Sequence, residues 1–162
     1  MIVIADTSPI NYLILIEAID ILPKLFGDVI VPRAVYNELN HVKAPEDVKY
    51  FIANLPVWLR IEDVDLPSDT GFDDLDYGER EAIYLAEQIK ADLLLIDEKK
   101  GFKVAREREL NAVGTLFILE QAAKRKIIDL AEAFEKLRKT SFHISPILLD
   151  EILYNQSISD ND

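Results

Sequence analysis

Residues 1–9 read MIVIADTSP: the apolar run Ile2-Val3-Ile4-Ala5 ends directly in a carboxylate, Asp6. The pattern returns at Leu93-Leu94-Leu95-Ile96-Asp97. Short continuous runs of β-branched and aliphatic residues mark strands covered on both faces, as in a parallel sheet. Similar runs stand at Val29–Val31 and Ala112–Val113, with a weaker one at Trp58–Val64. Segments of helical period separate them, at Pro9–Glu17, Ile19–Phe26, Pro32–Asn40, Glu46–Asn54, Gly78–Lys90, Lys99–Glu109 and Thr115–Lys126. Two more helices are expected at Leu130–Lys139 and Ile147–Tyr154. This alternation predicts an α/β fold around a central parallel sheet. Pro32, directly after Val29-Ile30-Val31, suits a first helical turn because its missing N–H has no partner to lose there.

The 162 residues fit one domain, expected over residues 1–154, with the last eight residues, NQSISDND, read as a frayed, disordered tail. Cysteine is absent, which excludes a disulfide framework, a thiolate zinc site and a catalytic thiol. No basic region precedes the first apolar run, so no signal peptide is expected. The apolar runs fall far short of the ~20 residues a membrane span requires. The expectation is a soluble cytoplasmic protein without membrane contact.

The net charge of −12 is unevenly placed. Residues 97–139 carry eleven Lys and Arg against eight Asp and Glu, whereas the rest of the chain carries seven against twenty-two. Residues 60–77 alone hold seven acids, Glu62, Asp63, Asp65, Asp69, Asp73, Asp74 and Asp76. Such a face either keeps the protein soluble or contributes to a site or a contact with a basic partner.

In an open α/β sheet, ligands sit beyond the carboxyl ends of the strands, where Asp6 and Asp97 would both lie. Each could instead cap the segment that follows it. Two helical glutamates add to them. Glu38, in PRAVYNEL, shares an apolar face with Ala34 and Val35. Glu79, in GEREAIYLAEQI, shares one with Ala82, Ile83 and Ala86, while Arg80, Glu81 and Glu87 are expected to carry the solvent charge. Glu79 also falls in a first turn, where the helix dipole favours an acid. Four inward acids without matching inward Lys or Arg call for a cation. Hard oxygen donors without cysteine select Mg²⁺ or Mn²⁺ over Zn²⁺. His41 and His143 are scattered and are read as surface residues rather than ligands.

Asp6-Thr7-Ser8 after the first strand, Tyr36-Asn37-Glu38-Leu39, Gly78-Glu79-Arg80-Glu81-Ala82-Ile83 and Leu94-Leu95-Ile96-Asp97 together resemble a PIN domain. The resemblance is to the VapC-like subfamily with a GE-x-E-A-I third motif and a GTLFIL-like segment, and it runs from Ile2 to about Leu153. It implies a three-layer α/β/α sandwich and metal-dependent endoribonuclease chemistry. It also implies a possible type II toxin–antitoxin role, with a cognate antitoxin as partner, and relatives of this kind often form homodimers. Carried over by position, Asp6, Glu38, Glu79 and Asp97 match the acidic quartet, as both metal ligands and catalytic residues. Ser8 matches a hydroxyl or amide residue expected to support the Asp6 carboxylate.

Relatives often carry Gly-Arg and a further basic residue after the fourth acid. Here the stretch is Gly101-Phe102-Lys103, with Phe102 where the Arg would stand. Glu98 stands beside Asp97 and could assist or replace it. An RNA backbone near acids requires cations around them. Lys99, Lys100, Lys103, Arg106 and Arg108 are the positions that could supply them, or they form a solvated helix face with Glu107 and Glu109. Lys124-Arg125-Lys126 is read as a favourable helix end.

No Ser/His/Asp or Cys/His set and no glycine-rich phosphate loop is present, so the expected reaction is hydrolysis by an activated water. The rival of another class is a catalytically silent PIN-fold module acting through protein or nucleic-acid contacts. A haloacid-dehalogenase phosphatase would need Asp-x-Asp after the first strand, and Asp6-Thr7-Ser8 fails that pattern. Tyr12, Leu13, Ile14 and Ile16 are apolar beyond one helix face, which fits either an interface or a fully buried helix.

Overall fold

A computed structural model describes residues 1–161. Five strands, β1 (Val3–Ala5), β2 (Val29–Pro32), β3 (Leu59–Glu62), β4 (Leu93–Leu95) and β5 (Ala112–Val113), form one parallel sheet in the order β3-β2-β1-β4-β5. β1 is central. Ile4 pairs with Ile30 on one side and Leu94 on the other. Its carboxyl end, with Asp6, therefore lies between those of β2 and β4.

The helices are α1 (Thr7–Leu15), α2 (Ile21–Phe26), α3 (Arg33–Leu39), α4 (Glu46–Ala53), α5 (Tyr77–Gln88), α6 (Lys99–Glu107), α7 (Thr115–Lys124), α8 (Leu130–Arg138) and α9 (Pro146–Asn161). The period of two along each strand sorts them into layers. Val3, Ala5, Val29, Val31, Leu93 and Leu95 face a core with Ile10 and Leu13 of α1, Val35 and Leu39 of α3, Ile118 and Leu119 of α7 and Phe134 of α8. Ile4, Ile30, Leu94 and Ala112 face the other way, onto Ala82, Ile83 and Ala86 of α5 and Ala105 of α6. The result is the expected three-layer α/β/α sandwich.

Leu13, Ile14 and Ile16 are buried, and Tyr12 meets Phe142 edge-on at 5.0 Å between ring centres. The buried-helix reading therefore accounts for these residues without an interface. Pro32 closes β2 and occupies the position before α3 rather than its first turn. α9 runs through Asn161, across the stretch expected as a tail, and Asp162 lies outside the described residues.

The acidic connection from β3 to α5 is anchored rather than loose. Phe72 and Leu75 are buried, and Gly71 has φ +81°, a left-handed turn that suits glycine. Arg108 holds this segment from outside. Its guanidinium donates to the Thr70 carbonyl and to Glu87, both at 2.7 Å, and stacks 4.4 Å from the centre of the Phe72 ring. The segment delivers Asp76 to the start of α5. Among the described residues, no helix is long and apolar enough to cross a membrane.

Candidate functional site

Asp6 occupies the N-cap position of α1, yet its side chain makes no capping hydrogen bond. The carboxylate is 4% exposed, and its Oδ1 is buried without a partner. Burial pushes its pKa from 3.8 to about 7, partly offset by the Thr7 amide and reinforced by Asp76, Glu38 and Asp97. A cap accounts for neither the orphaned oxygen nor the crowding of acids around it.

Glu79 is the second such group. Asp76, not Glu79, caps α5 by accepting the Glu79 N–H at 2.8 Å. The Glu79 carboxyl turns inward, 6% exposed, with Oε2 buried and unpartnered. Burial first, then Asp76, then Asp6 and Glu98 push it from 4.5 to about 9.

Glu38 and Asp97 are held in place by hydrogen bonds. Glu38 accepts from the Thr7 hydroxyl at 2.5 Å and from the Gly78 N–H at 3.2 Å, and burial raises its pKa above the usual range. Asp97 sits on the amino end of α7, accepting the Thr115 N–H at 2.7 Å and the Thr115 hydroxyl at 2.6 Å. Ser8 donates to Asp97 at 2.9 Å rather than to Asp6. The expected pairing of Ser8 with Asp6 is thus corrected: as the second residue of α1, Ser8 reaches across to the acid at the end of the neighbouring strand.

Glycine lets these acids approach the backbone. A Cβ on Gly78 would stand 2.6 Å from Glu38 Oε1, one on Gly114 2.7 Å from Asp97 Oδ1, and one on Gly101 3.0 Å from Glu79 Oε2.

Three residues with weight in the site went unassigned from sequence. Asp76 repels Asp6, Glu38 and Glu79, and its signal was Asp76-Tyr77-Gly78-Glu79, an acid three residues before Glu at a helix start. Thr7 and Thr115 orient Glu38 and Asp97, and each is a hydroxyl residue opening a helix after a strand. Glu81 is corrected as well: it is buried, and Oε1 accepts the Ala34 N–H at 2.9 Å, capping α3, whose own N-cap residue, Pro32, offers no side-chain acceptor. Arg80 is half-buried over the Tyr77 ring rather than solvated. Glu98 caps α6 through the Lys100 and Gly101 amides.

The basic residues divide. Lys99 lines a groove with Ser8, Asp97 and Glu98, whereas Arg106 faces a separate groove with Phe102 and Arg125. Lys100 is exposed, and exposed Lys103 lies 4.0 Å from Glu107. His41 and His143 are both exposed.

Among the described residues, no Lys or Arg forms an ion pair with Asp6, Glu38, Asp76, Glu79 or Asp97. Nor do any three acidic or histidine side chains, as placed, converge to hold one metal ion among those residues. The donor chemistry nevertheless fits a hard cation: two orphaned carboxylate oxygens inside an uncompensated acidic cluster.

A family model described as a PIN domain, DUF3368, matches residues 2–157. No curated protein matches. Among solved structures, the chain is similar to a PilT N-terminus domain protein from the hyperthermophilic archaeon Sulfolobus solfataricus P2. That similarity has a TM-score of 0.51 at 17% identity, over 90% of this chain and 100% of the other. At that identity the likeness speaks to the fold alone.

Proposed function

The chain belongs to the PIN-domain family, a nuclease-type fold, and from that premise we propose that it is a divalent-metal-dependent endoribonuclease hydrolysing RNA phosphodiesters. The observation that carries this reading is the pair of buried, unpartnered oxygens, Asp6 Oδ1 and Glu79 Oε2, among acids without a cation. A bound Mg²⁺ or Mn²⁺ would lower the pKa of a coordinated water and offset charge on the attacked phosphate.

Asp6 and Glu79 would hold the ion, with Glu38 and Asp97 on the two sides. Glu38 is fixed by Thr7 and Gly78, and Asp97 by Thr115 and Ser8. Asp76 adds charge and keeps the first turn of α5 in register. In the ion-free protein Glu79 retains a proton at neutral pH, which it must release to act as a ligand.

A complete set of acids favours the enzyme over a silent module of the same fold. A toxin role with a cognate antitoxin, and a homodimeric state, are narrower forms of the same proposal and rest on the resemblance read from the sequence. The test is cleavage of labelled RNA by the purified protein in Mn²⁺ or Mg²⁺ against EDTA. Ion-dependent cleavage that is lost in Asp6→Asn and Glu79→Gln, with both variants folded, supports the proposal. Cleavage indifferent to both the ion and the acids refutes it.

A further inference from the structure

The order of the sheet places the acids in a row. Glu38 follows β2, Asp6 follows central β1, and Asp97 follows β4, so Glu38 and Asp97 flank Asp6. Each flank opens into its own groove. Beside Asp97 a groove of about 910 Å³ is lined by Ser8, Lys99, Phe117, Phe142 and His143. Beside Glu38 a smaller one of about 390 Å³ is lined by Arg33, Asn37, His41 and Tyr77.

Both grooves present an aromatic ring that packing does not explain. Phe117 is 40% exposed on α7, whose Ile118, Leu119 and Ala122 are fully buried. Tyr77, the first residue of α5, is 61% exposed. Each ring has a cation near it. The Arg80 guanidinium lies 4.5 Å from the centre of the Tyr77 ring, with its Nε buried and unpartnered, and among the described residues it forms no ion pair. A half-buried guanidinium held against a ring, without an ion-pair partner among the described residues, is a cation placed beside that ring. Lys99, which is exposed and also without an ion pair among those residues, shares the Phe117 groove.

We propose that Phe117 and Tyr77 are stacking platforms for nucleobases on opposite flanks of the acid row, with Lys99 and Arg80 as their phosphate contacts. The inference rests on the nuclease reading and adds to it the residues that position the strand. The chain carries a net charge of −12 with its basic residues gathered within 97–139, so what the two grooves offer a polyanion is a few placed cations and stacking. Stacking on a bare ring is tolerant of base identity and demands that the base be free of its duplex partner. The substrate is therefore an unpaired stretch that crosses the acids and is gripped on both sides of the bond presented to them.

The test uses the full chain carrying Asp6→Asn to suppress hydrolysis, with EDTA present. Fluorescence anisotropy of a labelled single-stranded oligoribonucleotide reads the affinity. Phe117→Ala and Tyr77→Ala are each expected to weaken binding by about ten-fold or more, the loss of one stacked base. Phe117→Trp and Tyr77→Phe should retain it, and a fully paired hairpin should bind no better than the alanine variants. Melting temperatures should fall only slightly, by far less than for a buried ring, and the folded fraction at the assay temperature should be unchanged. Unchanged affinity in both alanine variants, or equal binding of the hairpin, overturns the proposal. If wild type still cuts RNA in that case, the nuclease reading survives alone. If no RNA is bound by the Asp6→Asn chain and none is cut by wild type, both fall.

Discussion

Replacing Asp6 by Asn should change how stability depends on pH, and by a large amount. The Asp6 carboxyl is 4% exposed, and its pKa moves from 3.8 to about 7, chiefly through burial. At about 1.4 kcal/mol per pK unit, three units correspond to a penalty on the order of 4 kcal/mol for holding the charge inside. The sign follows from proton counts. The unfolded chain releases this proton around pH 4 and the folded chain around pH 7, so between them the folded state binds more protons and stability falls as pH rises. Above the folded pKa the penalty is complete.

Asn carries no titrating proton, and its amide can donate to the neighbouring carboxylates. Urea unfolding followed by circular dichroism, in EDTA, should therefore show the two proteins close together around pH 4 and the Asn variant ahead by up to about 4 kcal/mol around pH 8. In a chain this size that is about 8–16 °C in melting temperature. Manganese at about a hundred times its dissociation constant should return roughly 2.7 kcal/mol to wild type and nothing to the variant. A gap that stays constant with pH would show that Asp6 is an ordinary hydrogen-bond acceptor, and the metal proposal would lose its main support.

Gly114→Ala places a Cβ 2.7 Å from Asp97 Oδ1, so melting should fall by the equivalent of about 1–3 kcal/mol and RNA cleavage should fall with it. Thr115→Val keeps the shape but removes the hydroxyl that donates to Asp97 at 2.6 Å; calorimetric titration with Mn²⁺ should show affinity down by about 10–100-fold. Arg108→Met removes the contacts to Thr70, Glu87 and the Phe72 ring, which should cost about 1–3 kcal/mol and speed proteolytic nicking within residues 63–76.

The architecture was legible because burial on both faces leaves an unbroken apolar run, and β1, β2 and β4 are such runs. Weaker β3 was found at Trp58–Val64 and narrows to Leu59–Glu62. The acids at strand ends and on inward helix faces were legible for the same reason: a charge inside an apolar pattern stands out. Their partners were not. Ser8 serves Asp97, eighty-nine residues away, because β4 lies beside β1, and no local pattern states strand order. Glu81 belongs to the same class, since its partner amide is on α3. Asp76 was hidden by its company, one acid among seven in an acidic stretch that on composition alone suggested solubility.

The central place of β1 has a consequence for the order of assembly. Val3, Ile4 and Ala5 pair with Leu93, Leu94 and Leu95, so the first strand made must wait for the fourth. Long-range parallel pairing of this kind is slow to form. Asp6 and Glu38 leave the ribosome early, but Asp97 and the Thr115 that orients it come last. A nascent chain stopped before Gly114 would carry every acid of the row, and Ser8, without the two Thr115 hydrogen bonds that fix Asp97. Synthesis itself thus keeps the row incomplete until the sheet has closed around it.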